Sequence, residues 1–226
     1  MLLTPNPPLP IHRTMALSVC SAFFAASTFA SSPPLADFKG QAAPRPIQDV
    51  ANWVVQSKDN RDQSFAIVDK AQARLFVFQA KGELRGASPV LLGSARGDDS
   101  VPGIGQRKMA DILPKERTTP AGRFVVEPGR NAQGEDIFWV DYDAAISMHR
   151  VRVTVKAERR LERLASATPA DNRISYGCIN VPVSFFNQVV NPAFSKQHGV
   201  VYVLPETRPL SAVFTALKAK SSKPGW

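Results

Sequence analysis

Through the middle of the chain, apolar residues recur at every second position or in short unbroken runs, the spacing of β-strands rather than helices. Residues 64–69 and 74–78 are two such runs, with Lys70-Ala-Gln-Ala73 as the turn between them. Residues 84–92 predict a third strand, in which Gly86 and Pro89 point to a bulge or an edge position. Strand patterning resumes at 122–127, 137–140 and 145–149, and a closing strand is predicted at 199–204. Two segments read as helices. Residues 156–165 place Ala157, Leu161, Leu164 and Ala165 on one stripe. Residues 182–190 follow Pro182, which a first turn accepts, and Asn191-Pro192 is expected to stop the helix or to start a short extension. The pattern predicts a mostly β domain with two short helices near the segment that carries Cys178.

The long stretch 93–120 is rich in glycine and charge and has no strand period. Loops of more than about 15 residues usually carry a function or are mobile, so it reads as a lid or groove wall, with a structureless insertion as the alternative. Its glycines lack the strand-turn-helix setting of a phosphate loop.

The N-terminus changes the picture. His12 and Arg13 precede an apolar stretch, 15–30, that ends in small residues near Thr28-Phe29-Ala30. This reads as a signal peptide over 1–30 with cleavage and export to the periplasm or cell envelope; an uncleaved anchor is the alternative. Cys20 lies in a poor lipid-attachment context, because Val19 is bulky. Residues 31–61 form a proline-rich linker and domain approach, 62–205 the predicted domain, and 206–226 a C-terminal extension. No second apolar run has transmembrane length, so no stable membrane insertion is expected after signal cleavage. Oligomeric state leaves no signal in the sequence.

A formal net charge of +9 favours anionic surroundings, either nucleic acid or an anionic cell wall. No base-reading or aromatic module accompanies the basic 156–163 segment, so no specific nucleic-acid partner is expected. After signal removal the chain keeps one cysteine, Cys178, and two histidines, His149 and His198. An exported thiol without a disulfide partner is either buried or useful. Cys178 sits in Ser175-Tyr-Gly-Cys-Ile-Asn180, where Gly177 permits close backbone approach. Its place before a predicted helix suggests that N–H dipoles stabilise a thiolate. A buried core cysteine is the alternative reading. His149 ends a predicted strand and is either a core histidine or the base that a thiol requires; His198 is its rival. The few Cys and His residues lack metal-ligand spacing, no Gly-x-Ser-x-Gly elbow is present, and neither a metal nor an organic cofactor is expected.

Three elements taken in order resemble the L,D-transpeptidase (YkuD-like) catalytic domain. They are the paired strands 64–69 and 73–78, the run Thr118-Thr-Pro-Ala-Gly-Arg-Phe124, and His149 with Ser175-x-Gly-Cys178. The resemblance implies a β-sandwich or barrel-like domain acting on peptidoglycan stem peptides. Cys178 would be the nucleophile and His149 its base, with Ser175, Tyr176 and Gly177 supporting the oxyanion and the loop. A thioester would form with release of D-alanine, and an amine, often of diaminopimelate, would accept the acyl group. Water as acceptor would make the enzyme an L,D-carboxypeptidase, and a non-catalytic wall-binding protein of the same fold is a further alternative.

The sequence departs from the family at Arg150, Tyr176 and Asn180. The family commonly has arginine at the last of these, able to clamp a carboxylate through its planar fork. Asn180, Arg173 and Arg150 are therefore the substrate-binding candidates. The stretch from His149 to Cys178 also looks long for the family, because it carries the 156–165 helix.

Overall fold

A computed structural model describes residues 33–196 and 198–217. The predicted export segment and the tail beyond Leu217 lie outside the described residues. Helix α1 (Arg45–Ser57) opens the fold. Pro46 lies in its first turn, where a missing N–H is harmless, and Lys58 ends it in the left-handed conformation. Ile47, Val50, Ala51 and Val54, at i, i+3, i+4 and i+7, are fully buried.

The strands follow in order. They are β1 (Phe65–Asp69), β2 (Arg74–Phe78), β3 (Leu84–Pro89), β4 (Leu92–Gly93), β5 (Gly122–Arg130), β6 (Asp136–Asp141), β7 (Ile146–Arg150), β8 (Arg173–Ser175), β9 (Ile179–Val181) and β10 (Gly199–Val203). Eight of them form one sheet in the order β3-β2-β1-β10-β5-β6-β7-β9, while β4 and β8 form a short parallel pair. Just past β3, Leu91 exchanges two backbone hydrogen bonds (2.9 and 2.8 Å) with Asn180 of β9, the opposite edge. That bridge joins the two ends of the sheet and makes it barrel-like, as the mostly β reading expects.

Side chains alternate across each strand, and the central strands are buried on both faces. Ala66, Val68, Leu75 and Val77 point into a core shared with Phe138, Met148, Ile179 and Phe186. Phe65, Ile67, Phe76 and Phe78 point the other way, onto α1, Tyr202 and Phe214. Two-sided burial is why β1, β2 and β10 read as unbroken apolar runs. The 31–61 stretch, expected as linker and domain approach, therefore supplies one wall of a core through α1. Part of the expected 206–226 extension packs as well, since Phe214 is 5% exposed beneath α1.

The helices differ from their sequence reading. The 156–165 segment is a 3-10 turn (Lys156–Glu158) and a separate short helix α2 (Arg160–Ala165), broken at Arg159 in the left-handed conformation. The break shifts the helical phase. Of the expected stripe only Leu164 is buried, and Leu161 is 58% exposed. Of the two readings of Asn191-Pro192, the short extension is the one found. Helix α3 (Val183–Phe185) runs through a π turn (Phe186–Val190) into α4 (Asn191–Phe194), and the wide turn accommodates the N–H that Pro192 lacks. A last short helix, α5 (Leu210–Val213), precedes Phe214.

Candidate active site

Strand register builds the site. β7 and β9 run parallel, with Met148 beside Ile179 and His149 beside Asn180. Extending that register by one residue sets Ser147 beside Cys178. The period of two then sends Met148 and Ile179 into the core, where both are fully buried. It leaves Ser147, His149, Cys178 and Asn180 on the other face. His149 and Cys178 remain half-buried there and line a cleft of about 620 Å³. Residues of the 93–120 stretch, among them Ile104, Arg107 and Met109, line the same cleft. That stretch forms three 3-10 turns (Ile104–Gln106, Met109–Asp111 and Pro114–Glu116), so the groove-wall reading holds.

The loop carrying the sulfur is tied at each end. The Ser175 hydroxyl donates to the Cys178 carbonyl oxygen (2.7 Å) and accepts the Gly177 N–H (3.1 Å). Thr119 donates its hydroxyl to the Gly177 carbonyl (2.8 Å) and accepts the Gly93 N–H (2.9 Å). The Thr-Pro element of the sequence thus touches the cysteine loop directly. Gly177 has φ +128°, and a Cβ there would sit 2.5 Å from Ile146 Cδ1 and 2.6 Å from the Thr118 carbonyl oxygen. No side chain fits at that position without displacing the loop.

Behind Thr119 lies a buried ionic cluster. Lys70, with no exposed surface, donates to the Thr119 carbonyl (2.9 Å), the Gly97 carbonyl (2.5 Å) and Asp98 (2.8 Å). Asp98 also accepts the backbone N–H groups of Glu206, Thr207 and Arg208. Burial pushes the Asp98 carboxyl up, but Lys70 and these donors outweigh it and hold it well below the usual range. Burial brings Lys70 below its ordinary value, and Asp98 only partly compensates.

The thiol and the imidazole shift each other. Burial raises the Cys178 thiol, yet the neighbouring His149 ring and its charge, with help from the Ser147 N–H (3.5 Å) and hydroxyl (3.7 Å), bring it below the ordinary value. Burial lowers His149, while the sulfur and the Arg150 carbonyl raise it above its ordinary value, against the nearby Arg160 charge. The pair therefore favours thiolate and imidazolium. The His149 Nδ1–H donates to the Arg150 carbonyl (2.7 Å), since a carbonyl can only accept, and this leaves Nε2 facing the cleft. The expected helix dipole plays no part in this arrangement: Cys178 immediately precedes β9, and α3 begins only at Val183.

The remaining sequence candidates separate. Asn180 is 1% exposed and lies in the cleft wall, its Nδ2 3.3 Å from both His149 Nε2 and the Cys178 carbonyl oxygen. Tyr176 lines the cleft with its ring under the Arg117 guanidinium, 3.9 Å from the ring centre. Arg173 and Arg150 do not line the cleft. Arg173 pairs with Glu206 (2.5 Å) and the Lys70 carbonyl. Arg150 bonds Asn187 (2.8 Å) and stacks on Phe186. His198 is exposed and lies outside the cleft. Sequence reasoning missed Arg160, which lines the cleft from α2 and donates to the Asn180 side-chain oxygen.

Comparison with known proteins adds three solved structures. The NMR structure of the catalytic domain of E. faecium L,D-transpeptidase is 15% identical, with 63% of this chain and 98% of that one covered and a TM-score of 0.39. A crystal structure of Enterococcus faecium L,D-transpeptidase with cysteine changed to serine is 14% identical, covering 63% of this chain and 50% of that one, at a TM-score of 0.33. The L,D-transpeptidase LdtMt1 in complex with imipenem is 13% identical, covering 62% and 58%, at a TM-score of 0.34. No family model and no curated protein matches the sequence.

Proposed function

We propose that the protein is a cysteine acyltransferase of the L,D-transpeptidase type, acting on peptidoglycan stem peptides. One observation carries this reading: the β7–β9 register sets a half-buried thiol against an imidazole in an open cleft, and each favours the charged form of the other. The sequence motifs around His149, Cys178 and Thr118–Phe124 supply the reaction class.

The Cys178 thiolate attacks the carbonyl carbon between the third and fourth stem residues. The carbonyl electron pair moves to oxygen, where the Tyr176 and Cys178 N–H groups are the candidate donors, because Gly177 already gives its N–H to Ser175. The C–N bond breaks as the His149 imidazolium protonates the leaving D-alanine amine, and a thioester remains. An acceptor amine then attacks the thioester and loses its proton to His149. The sulfur leaves as thiolate. Water in place of the amine gives the carboxypeptidase outcome. Thr119 and Ser175 position the loop.

The test is intact mass after incubation with a tetrapeptide stem. The expected result is an acyl adduct on Cys178 and release of D-alanine, both lost in Cys178→Ala. A stem that binds without any adduct would favour a non-catalytic wall-binding protein. Chromatography of the products separates cross-linked peptide from tripeptide. We propose further that residues 1–30 direct export to the periplasm or cell envelope. Among the described residues no helix is long and apolar enough to cross a membrane. N-terminal sequencing of the mature protein tests the export reading, and an intact Met1 would overturn it.

A further inference from the structure

Each of Gly177 and Cys178 carries a backbone N–H and a carbonyl, and all but one of these groups is engaged. The Gly177 N–H goes to the Ser175 hydroxyl, the Gly177 carbonyl accepts from Thr119, and the Cys178 carbonyl accepts from Ser175 and Asn180. The Cys178 N–H has no partner among the described residues. It is also the group whose direction Thr119 controls. A trans peptide unit is planar, so the Gly177 carbonyl and the Cys178 N–H point opposite ways across one rigid plate. Gly177, at φ +128°, has no Cβ to stop that plate from turning. The 2.8 Å bond from the Thr119 hydroxyl to the carbonyl oxygen holds it. A bond accepted at the oxygen also polarises the unit and strengthens its N–H as a donor.

Thr119 is itself held from behind. It is fully buried, and its hydroxyl accepts the Gly93 N–H (2.9 Å), which fixes the direction in which that hydroxyl donates. Pro120 follows and brings no N–H, so the Thr119–Pro120 unit can be anchored only at its oxygen. Lys70 anchors it there (2.9 Å). The other ammonium hydrogens go to the Gly97 carbonyl and to Asp98, which the backbone of Glu206, Thr207 and Arg208 fixes in turn. A buried ion pair is often no more stabilising than apolar side chains of the same volume. What apolar side chains could not do is hold the Thr119 carbonyl, and Thr119 leads directly to the Cys178 N–H.

We propose, resting on the acyltransferase reading, that Lys70 is a positioning residue for acyl transfer: through Thr119 it aims the Cys178 N–H at the oxygen that gains charge when the thiolate attacks a carbonyl. Lys70 does not line the cleft and touches neither the sulfur nor the imidazole. Its role separates two reactions of the same thiol. Acylation passes through an oxyanion and needs the aimed N–H. Alkylation by iodoacetamide displaces iodide at a saturated carbon, forms no oxyanion and needs only the thiolate. The sulfur keeps its place when the plate turns, because Ser147 and the β7–β9 register hold it.

The test follows both reactions by intact mass, with p-nitrophenyl acetate as the acylating probe. The Cys178 thiolate attacks the acetyl carbonyl, an S–C bond forms, and p-nitrophenolate leaves with the electron pair of the broken C–O bond. Thr119→Val should slow acetylation at least about tenfold, short of the roughly 100- to 1000-fold that outright removal of an oxyanion donor costs. Alkylation should stay within about twofold of native. Thr119→Ser, which keeps the hydroxyl, should restore acetylation. Lys70→Met combined with Asp98→Asn, which removes both charges of the pair together, should show the same split, with circular dichroism confirming the fold. Acetylation at the native rate in Thr119→Val or in the double variant would overturn the assignment. So would parallel loss of both reactions, which is what a loosened or unfolded site gives. If the split appears but no stem peptide acylates native protein, the stem-peptide reading fails and the positioning role stands. If native protein takes up a stem acyl group and the variants show no split, the reverse holds.

Discussion

Replacing His149 with alanine should shift Cys178 from thiolate toward thiol at neutral pH. Burial is the largest influence on the sulfur and favours the uncharged form; the imidazole and the Ser147 donors overcome it. H149A removes the ring and its charge and leaves burial in place. The thiol should return to or above its ordinary value of 9.0. A thiol there is about 1% ionised at pH 7, so the supply of thiolate falls. The remaining thiolate is more basic and more nucleophilic, and a Brønsted slope of about 0.4–0.5 returns only part of that loss. The second-order rate of iodoacetamide alkylation at pH 7 should therefore drop. Its pH profile should change too. In the native protein, reactivity should fall as pH drops through the lowered thiol value. In H149A it should climb tenfold per pH unit through neutrality. A folded H149A protein with the native rate and profile would refute the ion pair and, with it, the role given to the ring.

Three further outcomes follow from the scaffold. Asp98→Asn should cost about 3–5 kcal/mol in urea unfolding at pH 7, because Lys70 loses its nearest counter-charge while still buried. The folded-state Asp98 value is depressed, so its contribution is complete above the ordinary carboxylate value of 3.8 and is lost as pH falls through the lowered one; the gap between native and variant protein should narrow only in strong acid. Gly177→Ala should displace the loop through its contacts with Ile146 and Thr118, lowering stability by about 1–3 kcal/mol and slowing Cys178 alkylation. Ile47→Ala should cost about 2–5 kcal/mol by thermal or urea unfolding if α1 belongs to the folded body, whereas a detached linker would tolerate it.

Much of the fold was legible because the central strands are buried on both faces and so announce themselves as apolar runs. β1, β2 and β10 fall within a residue of their sequence reading. α1 was obscured by prolines at 44 and 46, which read as tether although one of them serves the first turn. The short strands flanking Cys178 were illegible for a different reason. At three residues each, β8 and β9 show no period, and they exist through pairing with β4 and β7, which are distant in sequence. The helix dipole assigned to the thiolate failed with them, since β9 stands between the cysteine and α3. His149 and Cys178 could be named from their motif, but that Asn180 lies beside the ring could not. Its partner Arg160 lies 20 residues away and reaches it only because Arg159 breaks the helix.

The division of labour in the site follows from the same geometry. His149 and Asn180 are 31 residues apart, yet adjacent in a parallel ladder whose register is fixed by Met148 and Ile179 packing into the core. A one-residue slip would bury the sulfur and the imidazole and expose those two apolar side chains, so the core enforces the pairing of the reacting groups. The connection from β7 to β8 is under no such constraint, because its exposed helix contributes one buried side chain, Leu164. Residues that must meet with fixed geometry therefore sit on strands held by the core. Arg160, on that connection, reaches the reacting groups only through its bond to Asn180 and its charge beside His149. On this reasoning, Arg160→Met should raise the His149 value further, because it removes a charge that lowers it, whereas Glu158→Gln should leave the pH profile of Cys178 alkylation close to native. A variant of Glu158 that shifted this profile as strongly as H149A would show instead that the connection belongs to the reacting unit itself.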